Sequence, residues 1–134
     1  MMAEISLHSM FLMVFLVFVA GAAGSVARHL ATIMVTRFTG GSAPLATLAV
    51  NVTGSFLAGA IGALAAAQYA DTELVLIVVV GFLGGFTTFS TWIMQMVVQF
   101  ENGDYSGAFY NLSGSLITGT IAAVLGFYLI MTLL

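Results

Sequence analysis

The sequence predicts an all-α integral membrane protein with four transmembrane helices, and three observations carry that prediction. Only 5% of its 134 residues are Asp, Glu, Lys or Arg, where a soluble domain carries about a quarter. The hydrophobic share is 61% and the mean hydropathy +1.17, so the chain has too few polar groups to cover a water-facing surface. Four segments are long and apolar enough to cross a bilayer, which takes about 20 residues.

The first span is expected from His8 to Thr36. Phe11 to Ala23 looks like a signal-peptide core with small residues behind it, but no Lys or Arg precedes it. A cleaved signal has a basic front end, so this stretch reads as part of the span. The second span is expected from Pro44 to Ala70, with Pro44 in the first turn, where its missing N–H costs nothing. The third is expected from Leu74 to Phe100 and the fourth from Gly107 to Leu134. The breaks are Arg37–Ser42, Asp71–Glu73 and Glu101–Ser106, short enough to make consecutive spans antiparallel neighbours. Residues 1–134 form one four-helix domain.

All charged side chains except Arg28 lie in those breaks, beside them or at the N-terminus. Arg28 is deep in the first span if that helix continues to Thr36, and a charge there marks a functional site. If the span ends near Leu30, Arg28 instead snorkels to the interface. The positive-inside rule has only Arg28 and Arg37 to count, both around one loop. Insertion in both orientations is therefore expected.

Composition also excludes functions. Two basic residues and a net charge of −3 leave no basic patch for nucleic acid. The absence of cysteine excludes disulfides and thiolate chemistry. The sequence offers no His pair, Ser–His pair or intramembrane carboxylate pair, and His8 and His29 fall near segment ends, so an enzyme is not expected.

The remaining polar residues stay in the spans. Thr47, Asn51 and Ser55 fall four apart, on one face of the second helix, and Gly54 and Gly59 allow close helix approach. That face is either interhelical glue or the wall of a polar pathway. In the third span, Gly81, Gly84 and Gly85 precede Thr87-Thr88-Phe89-Ser90-Thr91-Trp92. Glycines and a Thr/Ser run weaken a helix there, and a broken span is tolerated only where its backbone is buried or lines a cavity. Phe86, Phe89 and Trp92 are three apart, as a packing stripe or a site would be. Asn111, Ser115 and Thr118 form a further polar stripe in the fourth span. The shared chemistry is neutral donors and acceptors with aromatics, which suits a narrow path for a small solute or ion.

At these residues the sequence resembles the CrcB/Fluc family of small fluoride channels. The likeness lies in Gly21-Ala-Ala-Gly-Ser-Val-Ala-Arg-His, Thr47-Leu-Ala-Val-Asn-Val-Thr-Gly-Ser-Phe and Gly81-Phe-Leu-Gly-Gly-Phe-Thr-Thr-Phe-Ser-Thr. The resemblance implies an antiparallel, dual-topology homodimer of four-helix subunits in a prokaryotic inner membrane, with two fluoride pores built from both subunits. It implies a structural Na⁺ held by the carbonyls of Gly84 and Thr87. By the same resemblance, Asn51 is the pore asparagine with Thr47 one turn before it. Ser90, Thr91, Asn111 and Ser115 join the polar track, Phe89 is the first pore aromatic and Arg28 the vestibule arginine. Two departures stand out: Trp92 occupies the second aromatic position, and Gln95 the place where the family often has Glu.

Two other functions compete. A proton-coupled small multidrug exporter shares the size and span count but needs an intramembrane carboxylate, and Glu4, Asp71, Glu73, Glu101 and Asp104 lie near ends or loops. A non-conducting or half-pore subunit would pair with a paralogue that supplies the missing pore aromatic.

Overall fold

The computed structural model describes residues 7–134, and every regular element among them is a helix. α1 spans Leu7–Phe38 and α2 spans Ala43–Ala66. The third span, Thr72–Glu101, is built in pieces. α3 (Thr72–Val75) leads into a π-helical stretch (Leu76–Leu83), then α4 (Gly84–Phe86) and α5 (Phe89–Glu101). α6 covers Tyr105–Leu133. Among the described residues, four helical spans are thus long and apolar enough to cross a membrane, and one of them is bent and interrupted.

Local chemistry sets the ends. The Asp71 carboxylate accepts from the Leu74 N–H at 2.8 Å, and that of Asp104 from the Gly107 N–H at 2.9 Å. These N-caps start the third and fourth spans at Thr72 and Tyr105, just before the expected Leu74 and Gly107. α2 stops at Ala66 rather than Ala70 because Gln68 turns left-handed, at φ 64°. The N–H groups of Gln68 and Tyr69 then close back onto the carbonyls of Ala65 and Leu64. α1 runs past Leu30 to Phe38, so Arg28 is an interior residue of a continuous helix.

The break in the third span falls after its glycines. Gly84 is helical, at φ −61° and ψ −37°. The unwound residues are Thr87 (φ −85°, ψ 162°) and Thr88 (φ −146°, ψ 121°), in the extended conformation that β-branched residues favour. The glycines serve packing instead. A Cβ on Gly85 would strike the carbonyl of Gly21, and one on Gly24 the carbonyl of Phe82, so α1 meets the third span backbone to backbone. α2 and α6 do the same through Gly59 against Ala123 and Gly126 against Phe56. Small residues drive this mode of association where lipid removes the hydrophobic contrast between inside and outside.

α2 is the hub. It packs most extensively on α6 and also meets α1, α5 and the π-helical stretch. Many buried positions are small or polar, such as Ala46, Ala63, Ala122, Thr47 and Thr88, alongside the larger Val50, Leu83 and Trp92. Large apolar side chains such as Phe11, Phe15, Phe18 and Leu125 point outward. That inversion is stable only where the surroundings are apolar, since water would penalise the outer surface and reward the inner one.

Candidate functional site at the break in the third span

Unwinding a helix inside a membrane frees backbone groups that must be satisfied within the protein. Asn51 on α2 does this for Thr88. Its Nδ2 donates to the Thr88 carbonyl at 2.9 Å, and the Thr88 N–H donates to its Oδ1 at 2.8 Å. The Thr88 side chain then caps α5: its Oγ1 accepts from the Thr91 N–H at 3.2 Å and donates to Thr91 Oγ1 at 3.0 Å. Upstream, the Thr87 hydroxyl donates to the Leu83 carbonyl at 2.9 Å. Gly54 makes room for this, because a Cβ there would strike the Thr87 methyl.

These bonds redirect two donors. In an unbroken helix the N–H of Thr88 reaches the carbonyl of Gly84, and that of Thr91 reaches the carbonyl of Thr87. Here they go to Asn51 and to the Thr88 hydroxyl. The carbonyls of Gly84 and Thr87 thereby lose their regular helical donors. Gly84 is also exposed on the outer face of the subunit.

Two cavities flank the break and share Thr88. The first, about 350 Å³, is lined by Ser25, Arg28, Thr32, Thr47, Thr91 and Gln95 among others. The second, about 250 Å³, is lined by Asn51, Ser55, Phe89, Trp92 and Ser115 among others. Gln95 Nε2 donates to Thr47 Oγ1 at 2.8 Å, while its buried Oε1 has no partner among the described residues. The polar groups of the linings are hydroxyls, amides, the His29 imidazole and one guanidinium, with no carboxylate. Such a surface stabilises an anion better than a cation, because its mobile donors and its only formal charge are positive ends.

The structure brings most of the sequence-predicted residues to these cavities. Arg28, Thr47 and Thr91 line the first, and Asn51, Thr87, Phe89, Trp92 and Ser115 the second. Ser90 is exposed beside them, in an outer groove with Met94. Asn111 lies behind the second cavity, where its Nδ2 donates to Gln99 Oε1 at 3.0 Å. Trp92 is 7% exposed, and its indole N–H donates to the Asn111 carbonyl at 3.2 Å. Phe89, by contrast, is 69% exposed and meets Trp92 edge-on, with ring centres 5.5 Å apart. Phe86 belongs to neither cavity. It precedes the break and stacks on Phe82, so the expected Phe86–Phe89–Trp92 stripe is divided. Thr118 returns its hydroxyl to the Gly114 carbonyl on an exposed face. Sequence reading missed Gln99 and Ser25, although Gln99 continues the Thr91–Gln95 spacing of four and Ser25 lies in the glycine-rich run before Arg28.

The fold and this interior define a small four-span membrane protein with a polar, anion-compatible break at its centre. Residues 15–127 match the family described as CrcB-like protein, Camphor Resistance (CrcB), and the chain belongs to that family. It is 37% identical over 114 residues to a fluoride-specific ion channel FluC of Hydrogenobaculum sp., covering 84% of this chain and 93% of the relative. It is 42% identical over 113 residues to fluoride-specific ion channel FluC 1 of Symbiobacterium thermophilum, covering 83% and 91%. A fluoride-specific ion channel FluC of Campylobacter fetus is 34% identical over 121 residues, covering 90% and 94%.

Proposed function

We propose that this protein is a fluoride-selective channel that lets F⁻ leave a prokaryotic cell passively through its inner membrane. The carrying observation is the unwound Thr87–Thr88 segment, held by Asn51 between two polar cavities that contain Arg28 and no carboxylate. Membership of a family whose relatives are named fluoride-specific channels supplies the ion.

Fluoride is small and strongly hydrated, so a path must replace its water with several donors at once. Arg28 draws the anion into the first cavity. Hydroxyls of Thr47 and Thr91 and the amide of Gln95 take over from water there, with the Ser90 hydroxyl in the groove beside them. Asn51 spends one Nδ2 hydrogen on Thr88 and has a second to offer the ion. Beyond it, Ser115 offers a hydroxyl, and Phe89 and Trp92 offer weakly positive ring edges. Because the Trp92 N–H is bonded to Asn111, Trp92 acts toward the ion through its ring, as the Phe it replaces would.

One subunit leaves this path open on its outer side, where Phe89, Ser90 and Gly84 are exposed. A second, antiparallel copy closes it and makes two pores. With only two arginines, both around one loop, little fixes a single orientation, which suits insertion both ways round. The carbonyls of Gly84 and Thr87, released from regular helical bonding, are the oxygen donors that would hold a Na⁺ between the copies. Such a hard cation would neutralise the crowded carbonyl dipoles at the two breaks.

The test is fluoride release from liposomes containing the purified protein, read with a fluoride electrode, with chloride release as the comparison. Fast fluoride release with chloride retained is expected. Release no faster than from protein-free liposomes overturns the proposal.

A further inference from the structure

Two glutamines one turn apart on α5 tie it to different neighbours. Gln95 bonds Thr47 on α2, and Gln99 bonds Asn111 on α6. The second contact falls at a junction. Asn111 offers its side chain to Gln99 and its main-chain carbonyl to the Trp92 indole. Trp92 and Gln99 are seven apart, two turns along one face of α5, so α5 grips residue 111 from both sides. Asn111 Oδ1 in turn receives the Ser115 hydroxyl at 3.5 Å. Trp92 and Ser115 line the cavity of Asn51, whereas Gln99 does not. It sits in an adjoining hollow with Asn111 and Ser115.

From this geometry we infer that Gln99 is a positioning residue for permeation: it pins α5 to α6 at Asn111, and so fixes the Trp92 ring and the Ser115 hydroxyl at the wall of the path. The inference rests on the fluoride pathway proposed above. Its physical basis is that both partners are half-buried between α5 and α6, where each is the other's side-chain partner. Losing the Gln99 acceptor frees the Asn111 amide to seek another, either from Ser115 or by shifting α6. Both responses move groups that face the ion. The indole hydrogen bond depends on the same helix separation, so it loosens together with the amide contact.

Trp92 is the only tryptophan in the chain, so its fluorescence reports the junction without labels. Gln99→Met keeps the length and removes the acceptor, whereas Gln99→Glu keeps an oxygen within reach of Asn111 Nδ2. Gln99→Ala is made alongside, and only protein eluting at the wild-type position is measured. In Gln99→Met or Gln99→Ala, quenching of Trp92 by acrylamide should rise and fluoride flux should fall roughly three- to tenfold, the scale of one net hydrogen bond. Gln99→Glu should restore the wild-type quenching. With Trp92→Phe as background the indole contact is gone and only the Ser115 contact remains to be loosened, so Gln99→Met should then lower flux by a clearly smaller factor than in the wild-type background. Unchanged quenching, or an equal fall in flux in both backgrounds, overturns the inference. If the wild-type protein passes no fluoride, the channel reading fails, and the quenching series still decides whether Gln99 positions Trp92.

Discussion

At Asn51 one side-chain amide replaces helical bonding on both sides of a single residue, Thr88. Its position on the Thr47–Ser55 face was legible from spacing. Its partner was not, because a contact between residues 51 and 88 depends on how two spans pack. Glue and pathway wall need not exclude each other for that face, since Asn51 both holds the break and lines the cavity beside it. Thr88 adds the cap for α5. Replacing it with Val keeps the shape and removes the hydroxyl. Thr88→Val should lower stability by about 0.5–2 kcal/mol, read as a lower melting temperature in detergent. Trp92 was legible only as a departure from a motif. Its bond to a main-chain carbonyl on α6 makes the indole N–H a structural group. Trp92→Phe should therefore cost about 0.5–1.5 kcal/mol of stability. Liposome flux should shift only modestly, where a ring that plugged the pore would give a large increase on removal.

The four spans were legible as elements because length and apolarity alone define them. Their ends were less so, since Asp71, Asp104 and Gln68 set them through caps and a left-handed turn. The π-helical stretch at Leu76–Leu83 left no mark in the sequence. It is apolar all round, so no polar face exists to reveal a change of pitch. The break was legible as a weakness, and of the two features named for it only the Thr/Ser run lies at the break. The glycines before it stay helical and let α1 approach, while the threonines after it unwind. Glycine roles can be separated by substitution. At Gly126 an added Cβ strikes the Phe56 carbonyl, whereas at Gly62 it meets nothing within 4 Å of the same chain. Gly126→Leu should therefore destabilise by at least about 1–3 kcal/mol. Gly62→Ala should be neutral or raise the melting temperature slightly through helix propensity.

At the scale of the whole molecule, many large apolar side chains of the described residues face outward, and Gly84, Phe89 and Ser90 are exposed beside the break. That exposed side of the break is where a second copy would complete the path. The four-span subunit was legible in composition, whereas the pairing of copies rests on the resemblance and on weak charge bias. The chain has no native cysteine, so one added after Leu134 is a clean marker. In vesicles it should be labelled by impermeant reagents from both sides, and labelling from one side only would contradict the antiparallel dimer. The central claim is that the ion crosses at the break held by Asn51. The most direct measurement is fluoride flux through Asn51→Leu, taken only on protein that elutes at the wild-type position. Leu has about the same size and no donor, so that fraction should pass no fluoride. Flux at the wild-type rate through Asn51→Leu protein of wild-type elution would contradict the account.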